Sequence, residues 1–271
     1  MSRPAATYRV PPTPPHVRRG RVLAVSLAVL ALALLVVVLA TMNLPTWERV
    51  RSGLTRTLPP LWRGFTHPDW EVFPFAFRAM LETLFMAVLG TLLGGVLAFG
   101  LSFLAARNLL GGTAQAAPGK ALLVAIRTFP EILLAIIFVA AAGPGPTAGI
   151  MAMGIHSIGF LGKIFSDVIE GIDQGPMEAI RAAGGNGVHV FLYAVVPQVL
   201  PEFASNVLYR FEINLRAATI LGLVGAGGIG GPLIQRLQFR RWDDISTFLI
   251  VIVGFIVVVD FLSSTIRRRL V

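Results

Sequence analysis

Twenty-one residues from Val22 to Met42 carry no charge, and only Ser26 and Thr41 among them are polar. About 20 apolar residues in a helix cross a hydrocarbon core roughly 30 Å thick. Hydrocarbon offers the backbone only two solutions, helices or a closed barrel, and an unbroken apolar run without alternation selects the helix. The run is longer than the core of a cleavable leader and no small-x-small site closes it, so it reads as a retained span. Similar runs follow at about 77–104, 121–142, 148–165, 199–223 and 245–266. The chain is therefore expected to be an all-α polytopic membrane protein with six transmembrane helices. Only 14% of its 271 residues are charged, whereas a soluble domain carries about a quarter, so that class is excluded.

The segments between the spans differ in chemistry. Residues 1–21 are rich in proline and are read as a disordered cytoplasmic lead. Residues 43–75 contain Trp47, Trp62 and Trp70 with prolines and arginines, a composition suited to a water-facing segment, periplasmic or extracellular, with interface anchors. Six spans put both termini on one side. Thirteen basic residues fall on that side against eight on the other, which makes it the cytoplasm. The arginines are scattered between apolar runs, so the net charge of +9 does not describe a nucleic-acid surface. Without cysteine, disulfides and thiol chemistry are absent, and no metal site is expected.

Residues 178–201, EAIRAAGGNGVHVFLYAVVPQVLP, stand apart from these runs. Gly175 is a tolerable N-cap, Pro176 suits the first helical position, and Glu178 sits at the third, facing the positive end of the helix dipole. Gly184 and Gly185 can stop the helix about two turns on, and Asn186 can cap the next one. The expected product is a helix–turn–helix elbow at about 171–190, on the cytoplasmic face. Its spacing resembles the EAA loop of ABC importer permease subunits: Glu-Ala-Ala, three residues, Gly, nine residues, then Ile-x-Leu-Pro. Glu178, Ala179, Gly184 and Pro197 match, while Ile180, Ala194 and Val196 depart and stay apolar. Over about residues 75–266, "IRTFPEILLAIIFV", "GPGP", "EGIDQGPMEAIRAAG" and "RAATILGLVGAGGIGGPL" resemble the phosphonate, phosphite and phosphate branch.

That resemblance implies a type I ABC importer permease core over 76–271 in a bacterial inner membrane. It implies dimerisation with a second copy or a sister permease, two ATPase subunits that bind ATP and magnesium, and an external substrate-binding protein, all within membrane lipid. The elbow would transmit ATPase closure to the spans. The chain itself is non-catalytic and holds no cofactor. No G-x-x-x-x-G-K-[ST] appears: Gly119-Lys120 is followed by Ala121 and has Ala114 in the place of the first glycine of a phosphate loop, and Gly162-Lys163 is followed by Ile164.

Arg210, Glu212 and Arg216 interrupt the fifth span, where each charge costs roughly 2.5–3.5 kcal/mol and must face protein or water. Either Glu212 pairs with Arg216 one turn away, or an arginine left partly unpaired lines the path of an oxyanion. On the second reading, Arg210→Ala or Arg216→Ala reduces uptake and leaves assembly intact. Gly225, Gly227 and Gly230 spell G-x-G-x-x-G, yet no strand pattern precedes them. With Gly228 they are expected to help form an outer gate. Glu82, Glu131, Lys163, His156 and Asp260 lie at or within spans and read as bundle contacts. They also keep open an ion-coupled secondary transporter, which would show paired broken helices in inverted halves.

Overall fold

A computed structural model describes residues 15–41, 46–110 and 112–270. The chain divides into two compact units, Met1–Leu58 and Pro59–Val271. Of the lead expected over residues 1–21, positions 1–14 lie outside the described residues. From Pro15 the chain is helical, as α1 (Pro15–Thr41), whose apolar side chains from Leu23 to Leu39 are exposed throughout. The segment 43–75 holds a helix that its two internal prolines had hidden, α2 (Trp47–Thr66).

The second unit continues with α3 (Phe73–Ala105), the single turn α4 (Arg107–Leu110), α5 (Thr113–Thr128), α6 (Glu131–Ala142) and α7 (Pro146–Glu170). After it come α8 (Gly175–Ala182), α9 (Gly187–Val190), α10 (Val196–Leu221), α11 (Gly230–Gln238) and α12 (Trp242–Leu270). Among the described residues five helical segments are long and apolar enough to cross a membrane, or six if the bent pair α5 and α6 counts as one.

The third span expected at 121–142 is not one helix. It breaks between α5 and α6 with a bend of 79°. Phe129 and Pro130 are both extended there, because Pro130 lacks an N–H and its ring pushes the preceding residue out of helical geometry. The pair still follows α7 from end to end. Lys120 Nζ lies 2.6 Å from Glu170 Oε1, and a Cβ on Gly159 would lie 2.6 Å from Arg127 N. His156 Nδ1 is 3.3 Å from Glu131 Oε2, and Ala135 shares an apolar cluster with Ala152. Residue numbers fall on α7 as they rise along the pair, which is one bent crossing antiparallel to α7.

Small residues let α3 and α7 touch. A Cβ on Gly94 would collide with Ser157 Cβ and lie 2.7 Å from Gly154 O. Packed membrane helices owe their contact to such close backbone approach. Gly94→Val is expected to lower the thermal midpoint of the detergent-purified protein, read by fluorescence size-exclusion, by the equivalent of roughly 1–3 kcal/mol of overpacking. Gly100→Val is the matched control, because nothing lies within 4 Å of a Cβ there.

Candidate coupling elbow and intramembrane polar site

At one end of the bundle, α7 leads into α8 and α10 leads away from it. The start of α8 is capped one residue earlier than its sequence suggests. Gln174 is the N-cap, Gly175 lies inside the first turn, and the Asp173 carboxylate accepts from Gly175 N at 2.9 Å. Asp173 N in turn donates to Gln198 Oε1 on α10 at 3.0 Å. The helix ends as expected: Gly184 has φ +83°, its N–H donates to Arg181 O, and Gly185 N donates to Ile180 O at 2.9 Å. These two bonds form a Schellman turn, with Gly184 in the left-handed region. Gly185 does not share that conformation. Asn186 caps α9, accepting from His189 N at 3.0 Å, while His189 Nδ1 accepts from Asn186 N.

The elbow has two faces. Met177 is buried in a cluster with Phe165 of α7 and Phe203 of α10, whose rings stack at 3.9 Å. Ile180 packs on the same cluster. Glu178, Ala179, Arg181 and Gly184 are exposed. Between α9 and α10, residues 191–195 widen into a π turn, so that Val196 N donates to Phe191 O. A wider turn accommodates Pro197, which has no N–H to give and whose ring would meet the carbonyl four residues back.

Within the bundle, Arg210, Glu212 and Arg216 point to different partners, and the Glu212–Arg216 pair considered from sequence does not form. Arg210 is 2% exposed. Its Nε donates to Ser157 Oγ at 2.9 Å, and its Nη2 donates to Glu131 Oε2 at 3.2 Å and to His156 Nδ1 at 2.8 Å. The guanidinium also lies 5.0 Å from the Phe160 ring centroid, within reach of a cation–π attraction. Glu212, also buried, pairs with Arg267 near the end of α12. Arg216 pairs with Asp260 at 2.5 Å, both half-exposed. Desolvated charges in a span find partners across helices, since an exposed same-helix pair contributes only a few tenths of a kcal/mol, about 0.2–0.5.

Asn214, Thr91 and Ser157 complete this polar layer. Asn214 Nδ2 donates to Thr91 Oγ1 at 2.8 Å and to Ser157 Oγ at 3.0 Å. Sequence reasoning missed all three; the signal available was, for Thr91 and Ser157, their position on the glycine-rich helices α3 and α7, and for Asn214 its place between Glu212 and Arg216. Glu131, His156 and Asp260 prove to be bundle contacts, whereas Lys163 pairs with Asp167 on its own helix and not across the bundle.

The glycine-rich turn lies at the other end of α10. Gly225, Gly227 and Gly228 all have positive φ, between +73° and +85°. Gly145 N, in the GPGP turn, donates to Gly225 O at 2.9 Å. Gly228 N donates to Glu82 Oε1 at 2.9 Å and Ile229 N to Thr83 Oγ1 at 2.8 Å. A Cβ on Gly230 would strike Thr219 O. The four glycines thus tie the end of α10 to α3 and to the start of α7.

Residues 98–271 match the family described as binding-protein-dependent transport system inner membrane component. The phosphite transport system permease protein PtxC of Stutzerimonas stutzeri is 40% identical over 202 residues, 74% of this chain and 74% of that protein. The phosphate-import permease protein PhnE of Mycolicibacterium smegmatis is 39% identical over 227 residues, 83% of this chain but 41% of that one. Among solved structures, the MetNI methionine ABC transporter in an inward-facing conformation aligns with a TM-score of 0.65 at 20% identity, over 75% of this chain and 99% of that chain. The fold is thus the type I importer permease core, and the secondary-transporter reading is set aside. The chain is a multi-pass membrane transport subunit, and it belongs to the family of inner membrane components of binding-protein-dependent transport systems.

Proposed function

We propose that this chain is the permease subunit of an ATP-driven importer of phosphorus oxyanions: phosphonate, phosphite or phosphate. It works beside a second permease, identical or a sister chain, with two ATPase subunits that bind ATP and magnesium and an external binding protein that selects the substrate. The termini lie in the cytoplasm and α8 docks on the ATPase. The observation that carries this reading is the two-faced elbow. Its inner residues, Met177 and Ile180, are packed against Phe165 and Phe203, while Glu178, Ala179 and Arg181 are left open to a partner. A displacement at the exposed face is passed to α7 and α10 because close-packed cores switch between discrete arrangements instead of deforming.

Arg216, half-exposed beside Asp260, is the arginine of the fifth span best placed to face a passing anion. Arg210 and Glu212 hold the bundle together, and the pinned glycines at 225, 227, 228 and 230 form the outer gate. The relatives' names supply the substrate class.

The test is uptake in the native host with and without the gene. Deletion is expected to abolish uptake of at least one of radiolabelled phosphate, phosphite and methylphosphonate. Uptake by the intact strain is expected to survive an uncoupler while ATP is maintained. Loss of uptake on collapsing the proton gradient at constant ATP overturns the ATP-driven reading. Unchanged uptake of all three on deletion overturns the substrate class.

A further inference from the structure

The helix α2 lies outside the elbow and the glycine-rich turn, and its residues are sorted more sharply than those of any span. Near its end, Gly64 packs on the first turn of α12: a Cβ there would lie 2.6 Å from Trp242 O. Thr247 Oγ1 donates to Asp69 O at 2.9 Å just beyond, which fixes the level of this rim. Asp243 and Asp244 occupy the first turn of α12 and a long apolar run follows, so that turn marks the boundary between water and hydrocarbon, at the end of the bundle opposite the elbow. Trp62, 72% exposed, Trp70 and Trp242 gather at this level, as expected of an aromatic belt.

The sorting runs through the whole helix. Trp47, Val50, Leu54, Leu58, Trp62 and Phe65 recur every three or four residues on one face, and all are exposed. Arg49, Arg56 and Arg63, spaced by two turns, share the opposite face and have no ion-pair partner among the described residues. Glu48 is the one carboxylate in α2. Arg51 follows Trp47 by one turn, where its long stem can snorkel to the surface. A strongly segregated helix with tryptophan on one face and arginine on the other is the design of a segment lying in the plane of a bilayer surface.

We propose that α2 lies in the membrane interface. Its apolar face is sunk among acyl chains, and Arg49, Arg56 and Arg63 hold the phosphates of anionic phospholipid. Charge complementarity fixes the occupant: three unpaired guanidiniums on a nearly acid-free helix call for an anionic layer. The inference is independent of which substrate is carried.

The chain's lack of cysteine makes single labels unambiguous. Leu54→Cys and Ser52→Cys place a nitroxide on the two faces of the full-length protein, reconstituted in vesicles of phosphatidylcholine and phosphatidylglycerol. The Leu54 label is expected to collide with oxygen in preference to a water-soluble nickel chelate, and the Ser52 label with the chelate. Native mass spectrometry from the same vesicles is expected to show retained phosphatidylglycerol. In Arg49→Gln/Arg56→Gln/Arg63→Gln its enrichment should fall by about fivefold per charge removed. A Leu54 label as open to the chelate as the Ser52 label overturns the interfacial placement. Shielding of that label only after the binding protein is added assigns the face to that partner instead. Unchanged phosphatidylglycerol enrichment in the triple variant overturns the lipid ligand.

Discussion

Arg210→Ala is expected to lower the thermal midpoint of the purified protein by the equivalent of roughly 3–5 kcal/mol, the cost of leaving a buried charge without its partner. The stranded group is Glu131, whose side chain is only 14% exposed and which accepts from Arg210 at 3.2 Å. One of its oxygens, Oε1, already lacks a hydrogen-bond partner. The sequence-based expectation that Arg210→Ala spares assembly is therefore replaced by one of poor membrane yield. Adding Glu131→Gln removes the orphaned charge and is expected to recover most of the lost midpoint, measured by fluorescence size-exclusion as a double-mutant cycle. Equal losses in the single and double variants would mean that Arg210 acts through Ser157 and His156 instead. Arg216→Ala supplies the contrast: its pair with Asp260 is half-exposed, worth about 0–1 kcal/mol. A fall in uptake there, at unchanged midpoint, isolates a transport role.

Gly184→Val is expected to uncouple ATP hydrolysis from uptake. At φ +83° a side chain pays about 1–2 kcal/mol of backbone strain, more when β-branched. Nothing lies within 4 Å of a Cβ at this position, so crowding does not confuse the result. Relief of that strain turns the end of α8 out of its Schellman geometry and re-aims Glu178 and Arg181. A misfit of only about 1.4 kcal/mol at a docking contact weakens its affinity tenfold. The measurement is paired: ATPase rate and substrate uptake by the whole complex in proteoliposomes, with ATPase retained and uptake lost. Gly184→Asn is expected to keep both, because asparagine tolerates the left-handed region. Normal uptake by Gly184→Val would sink the coupling role.

The elbow was legible in the sequence because its signals are local. A glycine that must be left-handed, a capping asparagine and a proline at the helix start act within a few residues of themselves; the slips were the N-cap, which is Gln174 with Asp173 accepting from Gly175 N, and Gly185, which stays out of the left-handed region. The spans were legible from length and polarity, but not their interruptions. Pro130 announced a break that a count of apolar residues passed over, and Pro59 and Pro60 suggested an irregular segment where segregation of Trp62 from Arg63 keeps a helix. The ionic partners were the least legible. Spacing along one helix reveals neighbours at three and four residues, whereas Arg210, Glu212 and Arg216 each reach another helix, 79, 55 and 44 positions away.

The break after Phe129 has a mechanical meaning that follows from what sits on it. A proline bend in a span is commonly a place to flex, yet here the first residue beyond the bend, Glu131, is bound to the guanidinium of α10. Straightening or deepening the bend would draw opposite charges apart in a medium that cannot solvate them, where each charge costs roughly 2.5–3.5 kcal/mol. The pair therefore braces the joint, tying α6 to α10 just beyond the bend. A braced joint passes on force by tilting more than by flexing, in the manner of a rocker arm and not of a spring.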